Sequence, residues 1–468
     1  MTPHEKKPYP IASFRDPSGS VVVEDGIVYR RVTEFGEPDY QHLMRSGLYE
    51  SLTTAGLLIG HQDLGQRASS ASGVERLLRP DRVPFVSYAP GWCFSQLKDA
   101  ALLTLSVMLR AMPFGMRLKD ANADNIQFVG SRPIFIDTLS FEQVSTGPWV
   151  AYRQFCQHFL APLALMSHLD PRFGRAGLAF PDGIPLELAS RILPRRTLLR
   201  PCLLSHIHLH AAAERRLGRS RVPPGATGSP GARMTPTALA SLLEHLAACV
   251  ERQSWTPRGD WLQYYESLSR YSEQDLARKG TLLRQWLDRV SPRTVWDIGA
   301  NTGHFTRIAA EQADYVVAID SDAACVEKLY LQLKAAGPTN VLPLVGDIAN
   351  PSPGTGWANS ERRSLESRGP ADLVLALALV HHLSLGGNVP LAVIAEYLAR
   401  LGRALIIEFV PIDDPAVADM SHLLARRPHI AAGYSREGFE RAFETVFRIE
   451  MKQPIADTGR ALYLMERR

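Results

Sequence analysis

The stretch Thr294–Phe305, TVWDIGANTGHF, read together with Asp320, constrains this chain more than any other. A short apolar run ends in Asp297 and leads into a turn carrying Gly299 and Gly303, after which a helical pattern begins. A second apolar run, Tyr315–Ile319, stops directly at Asp320. Strand, glycine turn, helix, strand and acid is the order in which an α/β sheet holds an adenosine-containing cofactor. The glycines let the backbone approach the ligand, and the carboxylate accepts hydrogen bonds from ribose hydroxyls. A dinucleotide fingerprint, G-x-G-x-x-G, would need glycine at 299, 301 and 304, where the chain has Gly299, Asn301 and His304.

The run D-x-G-x-x-x-G from Asp297 to Gly303 instead resembles the motif of class I S-adenosylmethionine (SAM) methyltransferases. Asn301 stands where that family more often has glycine, a mild departure because Asn tolerates the left-handed conformation. The continuation is similar in order. Asp322 is placed to cap a helix through about Ala336, Val341–Val345 reads as a third strand, and Gly346-Asp347 follow it. DLVLALALV from Asp372 is nearly continuous in apolar residues, as a buried parallel strand is. It runs into His381-His382-Leu383, similar to the H-H-L after the fourth strand of many small-molecule methyltransferases. A helix over Pro390–Leu401, a fifth strand over Ala404–Val410 holding Glu408, a helix capped by Ser435 and a closing antiparallel pair complete the pattern.

This resemblance implies a Rossmann-like, seven-stranded α/β domain over 292–468 with SAM as cofactor. It places Asp297, Gly299, Asn301, Gly303, Asp320 and Asp347 around that cofactor, with Asp347 near the adenine amino group. Ligands of such sheets sit at strand C-termini. His381 or His382, after the fourth strand, is therefore the expected base, because an imidazole suits activation of a hydroxyl or amine at neutral pH. Glu408 is the second choice, as base or substrate anchor. No N-P-P-Y or D-P-P-Y follows the fourth strand, which argues against a planar amide or nucleobase nitrogen as acceptor.

With 468 residues the chain has room for two or three domains, and 45% hydrophobic and 21% charged residues describe an ordinary globular protein. A net charge of +4 makes no electrostatic case for nucleic acid. Cysteines at 93, 156, 202, 249 and 325 form no C-x-x-C pair, which argues for reduced thiols in a cytoplasmic setting. Neither a secretory leader at the start nor an apolar run long enough to span a membrane is expected. Oligomeric state is not readable.

The Gly-, Pro-, Ser- and Arg-rich run 218–237 reads as a linker. It separates a mixed α/β region, 1–217, from a helical segment, 238–291, that precedes the catalytic core. In the latter Trp261, Tyr264, Tyr265, Leu268 and Tyr271 recur at helical spacing, as core packing or, for Tyr265 and Tyr271, as pocket residues.

In the N-terminal region a β-hairpin is expected around Asp25-Gly26 and a helix over Ser95–Met112. Asp120 and Asn125, in LKDANADN, have the D-x-x-x-x-N spacing of a kinase catalytic loop, and Asp137 in FIDT sits where the metal-binding Asp would follow. No glycine-rich phosphate loop and no V-A-I-K-like lysine accompany them. A kinase-like scaffold without that activity, a nucleotide-binding region and a chance match all remain open. His206, His208 and His210 form H-x-H-x-H, which would face one side of a strand, but their context reads as helix, where neighbours two apart diverge. No metal site is expected. The stretch Arg191–Arg221 holds eight arginines against one acid, Glu214, and reads as a solvated edge or as a dock for an acidic partner.

An insert, 350–369, carries Trp357, Glu361, Arg362, Arg363 and Arg368. It is either a surface excursion or a lid whose arginines hold an anionic or polyhydroxyl acceptor. The insert, the run ALALVHHL and the run IIEFVP, behind a large N-terminal region, resemble a family of rhizobial nodulation proteins. That resemblance implies a small-molecule or glycan acceptor and a role in nodulation signalling. The competing readings are a methyltransferase fold used only for binding, and a bifunctional chain with a nucleotide-binding N-terminal region.

Overall fold

The structure is a computed structural model that describes residues 14–69, 73–144, 147–219, 234–263, 273–337, 339–418, 433–455 and 459–468. The chain divides into two compact units. Unit 1 comprises Met1–Thr256 with Gly354–Arg362, and unit 2 comprises Pro257–Pro353 with Arg363–Arg468. The start of the chain and most of the linker-like run fall outside the described residues.

In unit 1, strands β1 (Gly19–Glu24) and β2 (Ile27–Val32) form the expected hairpin. Asp25 and Gly26 take φ of 52° and 77°, the two-residue turn whose twist suits paired strands. With β3 (His61–Ser69) and β4 (Gly73–Pro80) they make an antiparallel sheet of order β1-β2-β4-β3. Helix Phe94–Ala111 buries Leu97, Ala101, Leu105 and Met108, an i, i+4, i+8, i+11 stripe. It starts in a capping box in which Gln96 accepts from the Cys93 amide at 3.0 Å. Beyond it, β5 (Met116–Leu118) pairs with β8 (Phe141–Gln143), and hairpin β6 (Ile126–Val129) with β7 (Arg132–Phe135) lies between them in sequence.

Two expectations are corrected here. Helix Pro236–Glu251 belongs to unit 1, so the unit boundary lies at Thr256 and the linker-like run interrupts unit 1 instead of bounding it. The helix is held there by its apolar face (Leu239, Leu243, Leu246 and Val250 are buried) and by Lys98, whose ammonium donates to the Glu251 carbonyl at 2.8 Å. Cys202 and Cys249 form a disulfide with Cα atoms 5.6 Å apart, while Cys93, Cys156 and Cys325 are free and buried. The pair is 47 residues apart in sequence, and only helix packing brings it together.

Unit 2 is built on seven strands: β9 (Thr294–Ile298), β10 (Tyr315–Asp320), β11 (Val341–Val345), β12 (Ala371–Ala376), β13 (Gly402–Phe409), β14 (Phe447–Ile455) and β15 (Arg460–Arg467). Their order is β11-β10-β9-β12-β13-β15-β14, with the first five parallel and β15 antiparallel to both neighbours. Val316, Val317, Leu373, Val374, Ile406 and Ile407 are buried, as strands covered on both faces require. The fourth strand ends at Ala376, earlier than its apolar run does, because Leu377 and Ala378 turn away and Ala378 takes φ of 50°. The order in which strands are added reverses between β9 and β12, which lie side by side and parallel with Asp297 opposite Leu375. Such a switch point opens a crevice at the strand C-termini. Among the described residues, no helix is long and apolar enough to cross a membrane.

Candidate active site

The turn after β9 is wound as its residues allow. Gly299, Asn301 and Gly303 take φ of 80°, 50° and 81°. The Gly299 amide donates to the Ile319 carbonyl at 2.8 Å, tying the turn to the end of β10. The Asn301 amide donates to Asp320 Oδ2 at 2.7 Å, and the Asp322 amide to Asp320 Oδ1 at 2.8 Å. Asp320 therefore braces both the glycine turn and the start of the next helix. Burial pushes its carboxyl up, against the pull of these amide donors. Asp297 is buried and accepts from the Thr306 hydroxyl at 2.6 Å, which pins the helix His304–Ala310 to β9. Burial moves its carboxyl up to about 6, with Thr306 opposing and the Asp320 charge adding. Gly303 caps that helix, and a Cβ there would stand 2.5 Å from Leu329 Cδ1. Asp347 lies after β11, half-buried, accepting from the Ala349 amide at 2.9 Å. Asp297, Gly299, Asn301, Gly303, Asp320 and Asp347 thus all lie at the C-terminal edge of β9, β10 and β11.

After β12 the chain makes a wide helical turn, His382–Gly386, and the two histidines separate in environment. His381 is buried, at 1% exposure, while His382 is half-buried. Their rings lie 4.1 Å apart, and the indole of Trp261 meets His382 edge-on at 5.6 Å. The carbonyl of Trp261 also accepts from Asn301 Nδ2 at 3.0 Å. Trp261 therefore bridges the glycine turn and the histidine turn. Among the described residues of the pre-strand segment, Trp261 reaches the crevice. Tyr264, Tyr265, Leu268 and Tyr271 lie outside the described residues.

Glu408 does not stand as a base. It is fully buried in β13, where its Oε2 accepts from the Lys279 ammonium and its Oε1 from Arg460 Nη1 at 3.3 Å. Arg460 in turn holds Asp414 through two bonds of 2.6 and 2.7 Å. A carboxylate committed to two buried cations is a poor proton acceptor, which argues against Glu408 as the base. Sequence reading missed Lys279. The signal was its place on the buried stripe of helix Glu273–Val290, in step with Leu283, Trp286 and Leu287. Its ammonium lies 4.4 Å from the Phe305 ring, a cation–π contact that joins this helix to the one after the glycine turn.

In unit 1, Asp120, Asn125 and Asp137 do converge. Asn125 hydrogen-bonds Asp120, whose carboxyl is pushed up by burial and by the Asp137 charge. Asp137 is ion-paired with buried Arg30 and accepts from the Leu139 amide at 3.0 Å and the Ser140 hydroxyl at 2.7 Å. His206, His208 and His210 disperse: His206 faces Tyr152 and His245, His208 faces Ser190 and Thr197, and His210 stacks on Tyr152. Arg191, Arg195, Arg196 and Arg200 are exposed.

The insert's arginines are occupied. Arg362 pairs with Asp124 and donates to the Pro181 carbonyl at 2.9 Å, both within unit 1, and Glu361 there pairs with Arg15 at 2.6 Å. Arg363 donates to the Ser367 carbonyl, and Arg368 to the Ser352 hydroxyl at 2.8 Å. These contacts revise the lid reading, because they leave Arg362, Arg363 and Arg368 as struts of their own segments.

No family model matches the chain. Nodulation protein NoeA of Rhizobium meliloti strain 1021 is 32% identical over 462 residues, which cover 97% of this chain and 95% of that protein. The chain belongs to the NoeA family. Among solved structures, the N-methyltransferase NodS from Bradyrhizobium japonicum WM9, in complex with S-adenosylhomocysteine, is 13% identical with a TM-score of 0.31, covering 45% of this chain and 99% of that one. Magnesium protoporphyrin IX methyltransferase from Synechocystis PCC 6803 is 14% identical with a TM-score of 0.31, covering 45% and 86%.

Proposed function

We propose that unit 2 binds SAM and transfers its methyl group to a hydroxyl or amine of a small-molecule or carbohydrate-like acceptor. The observation that carries this reading is the Gly299–Gly303 turn, wound in left-handed conformations, with its Asn301 amide held by Asp320 at the sheet's switch point. The fit to the cofactor is physical. A Cβ on Gly299 would meet only Leu379, at 3.5 Å, so the backbone there is open to close approach. The Asp320 carboxylate takes the Asn301, Asp322 and Ser321 amides, and with about four acceptor sites it keeps capacity for a ribose hydroxyl. Asp297, Asp320 and Asp347 gather negative charge at the crevice, which suits a sulfonium and its ammonium group.

When bound, SAM supplies an electrophilic methyl carbon. The chain's own work is alignment, exclusion of water and removal of a proton. Half-buried His382 is the group that takes the acceptor's proton, with buried His381 holding the turn beneath it. Trp261 forms the wall against His382. Membership of the NoeA family supports a role in nodulation signalling.

The test is transfer of labelled methyl to glycan and small-molecule acceptors. His382→Ala is expected to keep S-adenosylhomocysteine binding and lose turnover, and His381→Ala to lose stability first. Full turnover in folded His382→Ala would overturn the assignment. A second reading concerns unit 1. Asp137 is locked by Arg30, Leu139 and Ser140, which favours a kinase-like scaffold without phosphotransfer over a magnesium–nucleotide site.

A further inference from the structure

Two helical segments of unit 1 carry the same two residue types in opposite order. The segment 201–209 has Cys202 and His206, and helix Pro236–Glu251 has His245 and Cys249. In each, the two residues are four apart, the spacing that puts side chains on one helix face. The faces meet in register. Cys202 lies against Cys249, with Cα atoms 5.6 Å apart, and His206 Nε2 lies 2.8 Å from His245 Nδ1. The outer nitrogen of His206, Nδ1, is 2.7 Å from the Tyr152 hydroxyl. An outer partner of this kind fixes the ring of a ligating histidine with its other nitrogen aimed inward. Cys202, His206 and Cys249 are buried, and His245 is exposed, which leaves a route from solvent.

We infer that Cys202, His206, His245 and Cys249 form a redox-gated site for a tetrahedral divalent cation of the zinc class. Two thiolates and two imidazoles are the donor set that such an ion takes in structural sites. The structure holds the oxidised form. Its sulfurs are bonded to each other, and among the described residues no group of three or more His, Cys, Asp or Glu side chains stands ready for a metal ion. A dithiol reductant delivers two electrons and two protons to the S–S bond, leaving two thiols and becoming a disulfide itself. The cation then displaces both thiol protons. The imidazoles bind neutral, His206 through Nε2 and His245 through Nδ1. The doubly charged ion and two thiolates sum to zero, so the complex can be buried where a lone ion could not. The two segments stay stapled in either state, by sulfur when oxidised and by metal when reduced. Of the H-x-H-x-H motif only His206 takes part.

The test uses the full chain, reduced with a phosphine under anaerobic conditions and titrated with cobalt(II) and then zinc(II). The expected result is one equivalent of cobalt with the visible bands of a tetrahedral thiolate complex, displaced by zinc. The oxidised chain should give no bands until it is reduced. Cys202→Ser and Cys249→Ser should each weaken the sulfur charge-transfer band to about half or less, and the double variant should lose it. His245→Ala, at an exposed position and checked for folding by circular dichroism, should lose the tetrahedral spectrum. Tyr152→Phe should weaken cobalt binding roughly 10-fold or more, and His208→Ala should change nothing. Absence of bands in the folded, reduced chain, or bands that survive in a Cys202→Ser/Cys249→Ser double variant, would overturn the inference.

Discussion

Replacing Glu408 by Gln separates two accounts of the same residue. In the structure Glu408 and Lys279 are buried, with side-chain exposures of 0% and 2%, and Arg460 holds the second oxygen. Removing one partner of a buried pair costs about 3–5 kcal/mol, because the other charge is left uncompensated. In a unit of this size that lowers the melting temperature by roughly 6–20 °C. The low end applies to Lys279→Met, since Glu408 keeps Arg460. The double variant Lys279→Met/Glu408→Gln removes both charges, leaves Arg460 with Asp414, and should recover most of the loss. Scanning calorimetry of the two single variants and the double variant reads this coupling. If Glu408→Gln melts within about 2 °C of the parent and still loses methyl transfer, Glu408 is a base after all and the reasoning fails.

Further outcomes follow from the same geometry. Gly303→Ala should cost about 2–4 kcal/mol in urea unfolding, from the positive φ together with the clash on Leu329, whereas Gly299→Ala should cost only about 1–2 kcal/mol and act mainly on cofactor affinity. Equal stabilities for the two variants would contradict this. Burial holds the imidazoles of His61 and His158 down to about 4 from an ordinary 6.5, so the unfolded chain binds more protons between those values. Their stabilising contribution is complete above pH 6.5 and is lost as pH falls toward 4, and His158→Gln should flatten the slope of melting temperature against pH in that window. With Asp137 held by Arg30, the chain should show no magnesium-dependent ATP binding at millimolar nucleotide, and a clear calorimetric signal would overturn the scaffold reading.

Much of unit 2 was legible because its signals are local. Val341–Val345 and the ends of β10, β14 and β15 follow directly from apolar runs and turn residues, and Asn301 adopts the left-handed backbone that its chemistry permits. What escaped was settled by distant partners. Glu408 reads as a base or substrate anchor from its strand alone, and the partners that cover it, Lys279 and Arg460, lie 129 and 52 residues away in sequence. Two cysteines 47 residues apart gave no spacing signal, although C-x-x-x-H and H-x-x-x-C could have been read as facing helix stripes. Which of His381 and His382 is buried depends on how the turn after β12 packs, and no single sequence records that.

The most direct test of the central claim is a calorimetric titration of the full-length chain, and of Asp320→Ala and Asp320→Asn, with S-adenosylhomocysteine. Micromolar binding by the parent that both folded variants lose is the predicted result. A folded parent that does not bind, or an Asp320→Ala variant that binds as the parent does, would contradict the assignment of the glycine turn and Asp320 to the cofactor.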